Sequence, residues 1–174
     1  AFHHAESESL FWLAAQGTKT ALDFATRHGT QRFLLTSSGA VYGPQPAPLT
    51  HIPETYLGAP STLEKKSAYG EGKRVAEHLC IHSAIPHISI ARCFAFCGPY
   101  LELDGHYAFG NFMRDGLAKK PLHIKGNGLP FRSYLYGSEL ITWLFKIWFE
   151  GRSREAYNVG SDQMLSIFEL ATAI

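Results

Sequence analysis

Proton transfer is suggested by two short stretches of this sequence. Ser37-Ser38-Gly39 closes the apolar run Arg32-Phe33-Leu34-Leu35-Thr36, and Tyr69 follows Ser38 by 31 residues, with Lys73 four further on. Positions i and i+4 of a helix share a face, so the phenol and the ammonium leave the same side. A cation beside a phenol stabilises the phenolate and lowers the phenol's pKa, which fits it to act as a base near neutral pH. The carboxyl end of a strand is where open α/β sheets bind ligands. Ser38, placed there, can hydrogen-bond the hydroxyl whose proton Tyr69 takes. A Tyr-x-x-x-Lys alone is common and also describes a packed tyrosine beside a surface lysine. The strand and serine pair upstream, with Gly70 and Gly72 alongside, favour the chemical reading.

Those residues need a scaffold, and the apolar pattern supplies one. Leu10, Phe11, Ala14, Ala21, Leu22 and Ala25 predict a helix over residues 8–28, stopped by Gly29. Residues 32–37 predict a strand buried on both faces of a parallel sheet. Pro44, Pro46, Pro48, Pro53 and Pro60 make the stretch from Gly39 to about Lys66 a long loop, and loops of that length are usually functional. A helix over 67–82 and a strand over 88–92 complete parallel α/β units with right-handed crossovers. Further on, the pattern predicts a helix at 107–119, a short strand at 121–124 and an extended piece at 131–136. A helix follows from Ser138, its N-cap, to Phe149, and then a strand at 156–159. The fold class is α/β: part of a doubly wound parallel sheet over 1–100, and a smaller mixed α/β lobe over 101–174. Ser166-Ile167-Phe168-Glu169 has capping-box spacing and opens a helix with no stop signal before Ile174. With no initiator Met or leader at Ala1, the expectation is a piece of a longer protein.

Composition narrows the function classes. The chain has 174 residues, 45% hydrophobic and 18% charged, with a formal net charge of +1, which excludes a disordered chain and any strong electrostatic footprint for nucleic acid. No apolar run approaches the length of a membrane span. Cys80, Cys93 and Cys97 lack zinc-site spacing and read as small hydrophobes in a reducing cytoplasm. The adjacent His3-His4 would point to opposite faces of a strand, so no metal is expected. Trp143, Phe145, Trp148 and Phe149 read as core or interface, because only Lys146 among them is basic.

Leu34 to Gly43 (LLTSSGAVYG) and Ser67 to Lys73 (SAYGEGK) resemble the extended short-chain dehydrogenase/reductases. Within them, the match is to the NAD-dependent epimerase/dehydratase group acting on nucleotide sugars. Ala91 to Tyr100, Gly128 to Tyr136 and Ala156 to Gly160 match further segments of that family in order. The resemblance implies a partial Rossmann-type sheet, with residues 1–100 the C-terminal part of the NAD-binding domain and 101–174 mostly a truncated substrate lobe. It implies Ser38, Tyr69 and Lys73 as catalytic residues, and NAD rather than NADP as cofactor. His4, Ala5, Ser37, Tyr69, Lys73 and Cys93 would lie against the cofactor, His4-Ala5 at a strand end. Ser38, Asn111 and Arg132 would meet a nucleotide-diphosphate sugar, Asn111 and Arg132 at its phosphates. A cytoplasmic homodimer, paired through the helix bearing Tyr69 and its neighbour, is also implied.

The departures matter too. No Gly-x-x-Gly-x-x-Gly loop, with its acidic ribose reader, occurs in these residues, so weak NAD binding by the chain is expected. The span from His4 to Gly17 is short for the family, Ala14 stands where an Asn is usual, and Ala95 where a substrate-meeting Asn is common. Gly39-Ala40 replace the Asp-Glu pair of the sugar 4,6-dehydratases, and decarboxylases of the group also keep a Glu at the Ala40 position. An epimerase is therefore the leading expectation. A 4,6-dehydratase and a non-catalytic sugar-nucleotide-binding domain are the alternatives.

Overall fold

The computed structural model describes residues 4–47, 49–105 and 107–174, with side chains from Glu8 onward. Helix α1 spans His4–Arg27 and strand β1 Arg32–Ser38; a 3₁₀ turn, Gly39–Tyr42, leads into the proline-rich loop. Helix α2 is Ala68–Ile81, strand β2 His87–Cys93, strand β3 Ala95–Cys97 and helix α3 Ala108–Leu117. Then come β4 (Phe131–Tyr136), α4 (Gly137–Glu150), β5 (Glu155–Val159), β6 (Met164–Ser166) and α5 (Ile167–Ala173).

Two compact units interleave along the chain. One comprises the residues up to Phe94 together with Thr142–Val159, and the other Ala95–Ile141 with Gly160–Ile174. The sequence pattern divides the chain once, near residue 100. In space, residues 142–159 rejoin the first unit, because β5 pairs parallel with β2.

The first unit holds the parallel sheet β1-β2-β5. Its register sets Ser38 opposite Cys93 and Cys93 opposite Val159, so three strand ends line up at one edge. Ala15, Leu22 and Ala25 form a buried stripe on α1 at helical spacing, and Ala76 and Cys80 one on α2. Of these, Leu22, Ala25, Ala76 and Cys80 pack with Leu35, Ile85, Ile88 and Ile90 into one core. β1 is less enclosed than its sequence suggests: Leu35 and Ser37 are buried but Thr36, on the opposite face, is exposed, so only the Leu35 face is packed into the core with α1 and α2.

The second unit pairs β3 parallel with β4 and β4 antiparallel with β6. The Ser166 hydroxyl accepts from Glu169 N and the Glu169 carboxylate accepts from Ser166 N, the reciprocal cap foreseen in the sequence. Two local expectations change. Residues 121–124 form no strand, because β4 takes its partners from β3 and β6. α4 starts at Gly137, directly after β4, so Ser138 lies inside its first turn; the Glu139 carboxylate accepts from Tyr136 N instead. His3 lies outside the described residues. Among those described, no group of three His, Cys, Asp or Glu side chains comes together, and no helix is long and apolar enough to cross a membrane.

Burial pushes the Cys80 thiol up to about 12, with the Glu77 carboxylate adding to the effect. Between a thiol's ordinary range and that value the unfolded chain ionises and the folded one does not, so Cys80 makes stability fall as pH rises. Native-state labelling at pH 8, followed peptide by peptide by mass spectrometry, should modify Cys80 only as fast as the chain unfolds. Labelling as rapid as at the half-buried Cys97 would contradict this core.

Candidate active site

The residues expected to move protons meet at the carboxyl edge of the parallel sheet. Tyr69 is in the first turn of α2 and is 38% exposed, and Lys73 follows one turn later. The Lys73 ammonium lies 5.8 Å from the centre of the Tyr69 ring and donates to the carbonyl of Thr36 at 2.9 Å, which ties α2 to the end of β1. Burial pushes the Lys73 pKa down, and the nearby Cys93 thiol partly offsets this. Reciprocally, burial raises the Cys93 thiol while Lys73 opposes the rise. Ser38 caps the 3₁₀ turn: its Oγ accepts from Ala40 N at 3.2 Å, which leaves the hydroxyl proton free to be donated. Among the described residues no hydrogen bond joins Ser38 to Tyr69, so a substrate hydroxyl would have to link them.

A close approach beside Tyr69 sets the distance between these parts. A Cβ on Gly70 would stand 2.7 Å from the Ala40 carbonyl oxygen and 2.9 Å from Pro60 Cγ. The 3₁₀ turn and the proline-rich loop therefore press directly on the start of α2. Arg74 reinforces this by donating to the carbonyls of Val41 and Gly58 at 3.3 Å each.

Behind the site lies a buried polar network with little trace in the sequence. Arg92, on β2, donates from Nε and Nη2 to the two carboxylate oxygens of Glu77, at 3.0 and 2.7 Å. Ser37 Oγ donates to Glu77 Oε1 at 2.6 Å. Arg92 Nη1 donates to Tyr42 OH at 2.9 Å, and Tyr42 OH donates to Asn158 Oδ1 at 2.8 Å. The Asn158 amide donates to Ile52 O at 2.7 Å, and its backbone N–H to Glu54 Oε1 at 2.9 Å. Burial works against the Arg92 charge, but its hydrogen bonds to Glu77 and Tyr42 outweigh this and raise its pKa. An arginine in a strand with Ile88, Ile90 and Ala91, and a glutamate at the next i+4 step after Tyr69 and Lys73, were the available signals.

The remaining expected site residues have specific placements. The Ser37 hydroxyl is buried and committed to Glu77, so its side chain serves the fold. His4 and Ala5 open α1 and do not close a strand; their side chains are outside the description. Cys93 closes β2 beside Ser38. Asn111 and Arg132 belong to the second unit. Asn111 donates to the carbonyls of Gly105 and Tyr107 at 3.0 Å each and accepts from Arg114, so its amide holds the preceding loop. Arg132 is exposed on β4, opposite Leu165, and donates to the Phe131 carbonyl. A cavity of about 350 Å³ in that unit, lined by Met113, Gly116, Leu117, Ala173 and Ile174, offers no ionisable side chain.

Comparisons with known proteins show the family and the fold. A model of the NAD dependent epimerase/dehydratase family matches residues 3–160. UDP-glucuronic acid decarboxylase 4 of Arabidopsis thaliana is 36% identical over 162 residues, which are 91% of this chain and 35% of that protein. A UDP-glucuronic acid 4-epimerase from Bacillus cereus, solved with NAD, is 28% identical, with a TM-score of 0.74 over 89% of this chain and 48% of its own. A dTDP-glucose 4,6-dehydratase from Streptomyces venezuelae, solved with NAD and TYD, shares the fold at 22% identity, with a TM-score of 0.83 over 97% of this chain and 51% of its own. The chain thus spans about a third to a half of the length of the proteins it matches.

Removing one partner of the Arg92–Glu77 pair leaves a buried charge unanswered, which costs about 3–5 kcal/mol. Glu77→Gln and Arg92→Met should each lower the urea midpoint strongly, and the double variant should lose less than the two losses added together. Strict additivity would show that the pair is not coupled.

Proposed function

The chain belongs to the NAD-dependent epimerase/dehydratase family, and on that premise we propose that it carries the sugar-oxidising centre of an epimerase acting on a nucleotide-diphosphate sugar. The observation that carries this is the convergence of Tyr69, Lys73 and Ser38 at the carboxyl edge of the sheet, with Lys73 anchored on Thr36 O. The same donor set fits a nicotinamide ribose: an ammonium and a half-exposed phenol stand beside the exposed Thr36 at an outer strand end. Lys73 and Tyr69 would hold that ribose, with the strand end at Ser37 and Cys93 and the start of α1 at His4-Ala5 alongside. NAD, when bound, would supply a reversible hydride acceptor for the sugar carbon.

The chain's own residues account for the proton. Lys73, anchored on Thr36 O, sets its positive charge beside the Tyr69 ring. Tyr69 removes the proton from the sugar hydroxyl as the carbonyl forms, and Ser38 donates a hydrogen bond to that oxygen and fixes its distance. When the carbonyl is reduced on its opposite face, Tyr69 returns the proton and the product is the epimer. Arg132 is the proposed diphosphate contact, through its planar guanidinium, and Asn111 would join it by giving up one of the loop carbonyls, Gly105 O or Tyr107 O, that hold its amide. Residues 1–100 would supply the cofactor side and 101–174 most of the substrate side. A cytoplasmic location, and a homodimer through α1 and α2, belong to the same reading; exposed Trp12, Phe24, Val75 and Ile81 on those helices support the dimer.

A decarboxylase is the second reading, favoured by the names of the curated relatives. Oxidation at C4 of a UDP-uronic acid makes a β-keto acid. The C5–C6 bond breaks as carbon dioxide leaves, its electron pair passes to the C4 oxygen, and a proton is added at C5. Hydride returned to C4 would give the UDP-pentose, so no base need remove a C5 proton. The 4,6-dehydratase alternative is disfavoured by Gly39-Ala40, which offer no carboxylate to remove water.

UDP-glucuronic acid incubated with NAD separates these outcomes: the epimerase returns a UDP-uronic acid of inverted C4, whereas the decarboxylase releases carbon dioxide and a UDP-pentose. Tyr69→Phe should cost roughly 10²–10⁴-fold in turnover, the range of general acid–base catalysis. Its NAD affinity should fall by no more than the loss of one ribose hydrogen bond, up to roughly tenfold. Turnover within about tenfold of the parent would reject Tyr69 as the base.

A further inference from the structure

Phe94 follows the end of β2 and is held there by its backbone N–H, which donates to the Val159 carbonyl at 3.0 Å. Its ring lies over Gly39, the residue after Ser38. A Cβ on Gly39 would stand 2.6, 2.8 and 3.0 Å from Cε1, Cδ1 and Cζ of that ring, well inside the 3.5–4.0 Å optimum for carbon contacts. Gly39 is not in the left-handed region, so its backbone would accept any L residue. Only the space is missing. The ring also stacks on Tyr42, at 6.5 Å between centres and 22° between planes. Tyr42 is 2% exposed and locked by Arg92 and Asn158, so Phe94 has no room to withdraw inward. Phe94 itself is 39% exposed, which leaves outward displacement as the way to yield.

We infer that Phe94 is a specificity-determining residue: its ring takes the place beside Ser38 that a side chain at position 39 would need, and so keeps an ionisable group out of the reaction centre. This rests on the nucleotide-sugar reading above. Loss of water from a 4-keto sugar requires a base to take the C5 proton while the C6–O bond breaks. An acid must protonate the departing oxygen, so that water leaves and a C5=C6 bond remains. Hydride from the nicotinamide reduced in the C4 oxidation would then add at C6, and a proton at C5, to give the 4-keto-6-deoxy sugar. With an aromatic edge where the acid would stand, the keto sugar keeps its oxygen. Tyr42, Arg92 and Asn158 act behind Phe94 as positioning residues.

Two measurements test this, unfolding of the 174-residue chain and turnover by the whole protein that contains it. Urea unfolding of the parent, Gly39→Ala, Phe94→Ala and the double variant forms a thermodynamic cycle. Gly39→Ala should lower the folding equilibrium constant by about tenfold with Phe94 present, and by less than about twofold in the Phe94→Ala background, as expected when overpacking is relieved. Equal losses in both backgrounds overturn the inference.

The second measurement uses UDP-glucose with NAD and follows the alkaline ultraviolet absorbance of a 4-keto-6-deoxy sugar. Gly39→Asp with Ala40→Glu should give no such product while Phe94 remains, and should give it once Phe94→Ser is added. Product from both variants, or from neither, overturns the specificity role. If the whole protein containing these residues converts neither UDP-glucose nor UDP-glucuronic acid with NAD, the nucleotide-sugar reading fails, and the unfolding cycle still decides whether Phe94 and residue 39 compete for one place.

Discussion

A permanently charged guanidinium inside a sheet dictates much of what surrounds it. Arg92 lies on β2 among Ile88, Ile90 and Ala91, all buried, and removing such a charge from water costs several kcal/mol unless every donor is answered. Glu77 answers two of its nitrogens at once, in the forked geometry that suits a carboxylate. Glu77 in turn accepts from Ser37, and the remaining Arg92 amine reaches Tyr42 and, through it, Asn158. Among the described residues, no buried side-chain nitrogen or oxygen lacks a partner. One charge therefore ties together β1, α2, β2, β5 and the loop between β1 and α2.

That loop has almost no regular structure, yet its first turn carries Ser38 into the site. Two independent constraints make up for the missing ladder of hydrogen bonds. The network holds Tyr42, Ile52 and Glu54 against the strand ends. The bare Cα of Gly70 lets Ala40 and Pro60 come against α2 next to Tyr69. The proposed catalytic groups would need placement to a fraction of an ångström, and elements rigid in themselves, α2 and β1, are linked here directly through Lys73 and Thr36 O. Phe94 belongs to the same arrangement, since its ring rests on Tyr42 and fills the space left by Gly39.

Much of the scaffold was legible, because helical and strand periodicities report which faces are buried. The helices at α1, α2 and α5 and the strands β1, β2 and β5 fall where their apolar spacing puts them. The short strands β3 and β6, three residues each, have no room for a period. The apolar stretch at 121–124 looks like a strand but has no partner, and strand formation is a matter of pairing. Ser138 has the right chemistry for a cap, but α4 grows straight out of β4 and begins one residue earlier. Ser37 and Asn111 show the same limit at the level of function. Their residue types suit ligand contact, while their hydrogen bonds are spent on Glu77 and on the loop before α3.

Read alone, the amino-acid sequence determined the α/β class, the helix that presents Tyr69 and Lys73 on one face, and the strand end that carries Ser38. These depend on near-neighbour periodicity, which a linear sequence records directly. Tertiary structure decided that Lys73 anchors on Thr36, that Arg92 is neutralised by Glu77, that β5 returns to the first sheet, and that the ring of Phe94 occupies the space of residue 39. Each of those joins residues far apart in the chain, where distance and burial, not residue type, set whether a polar group is satisfied or a side chain has room.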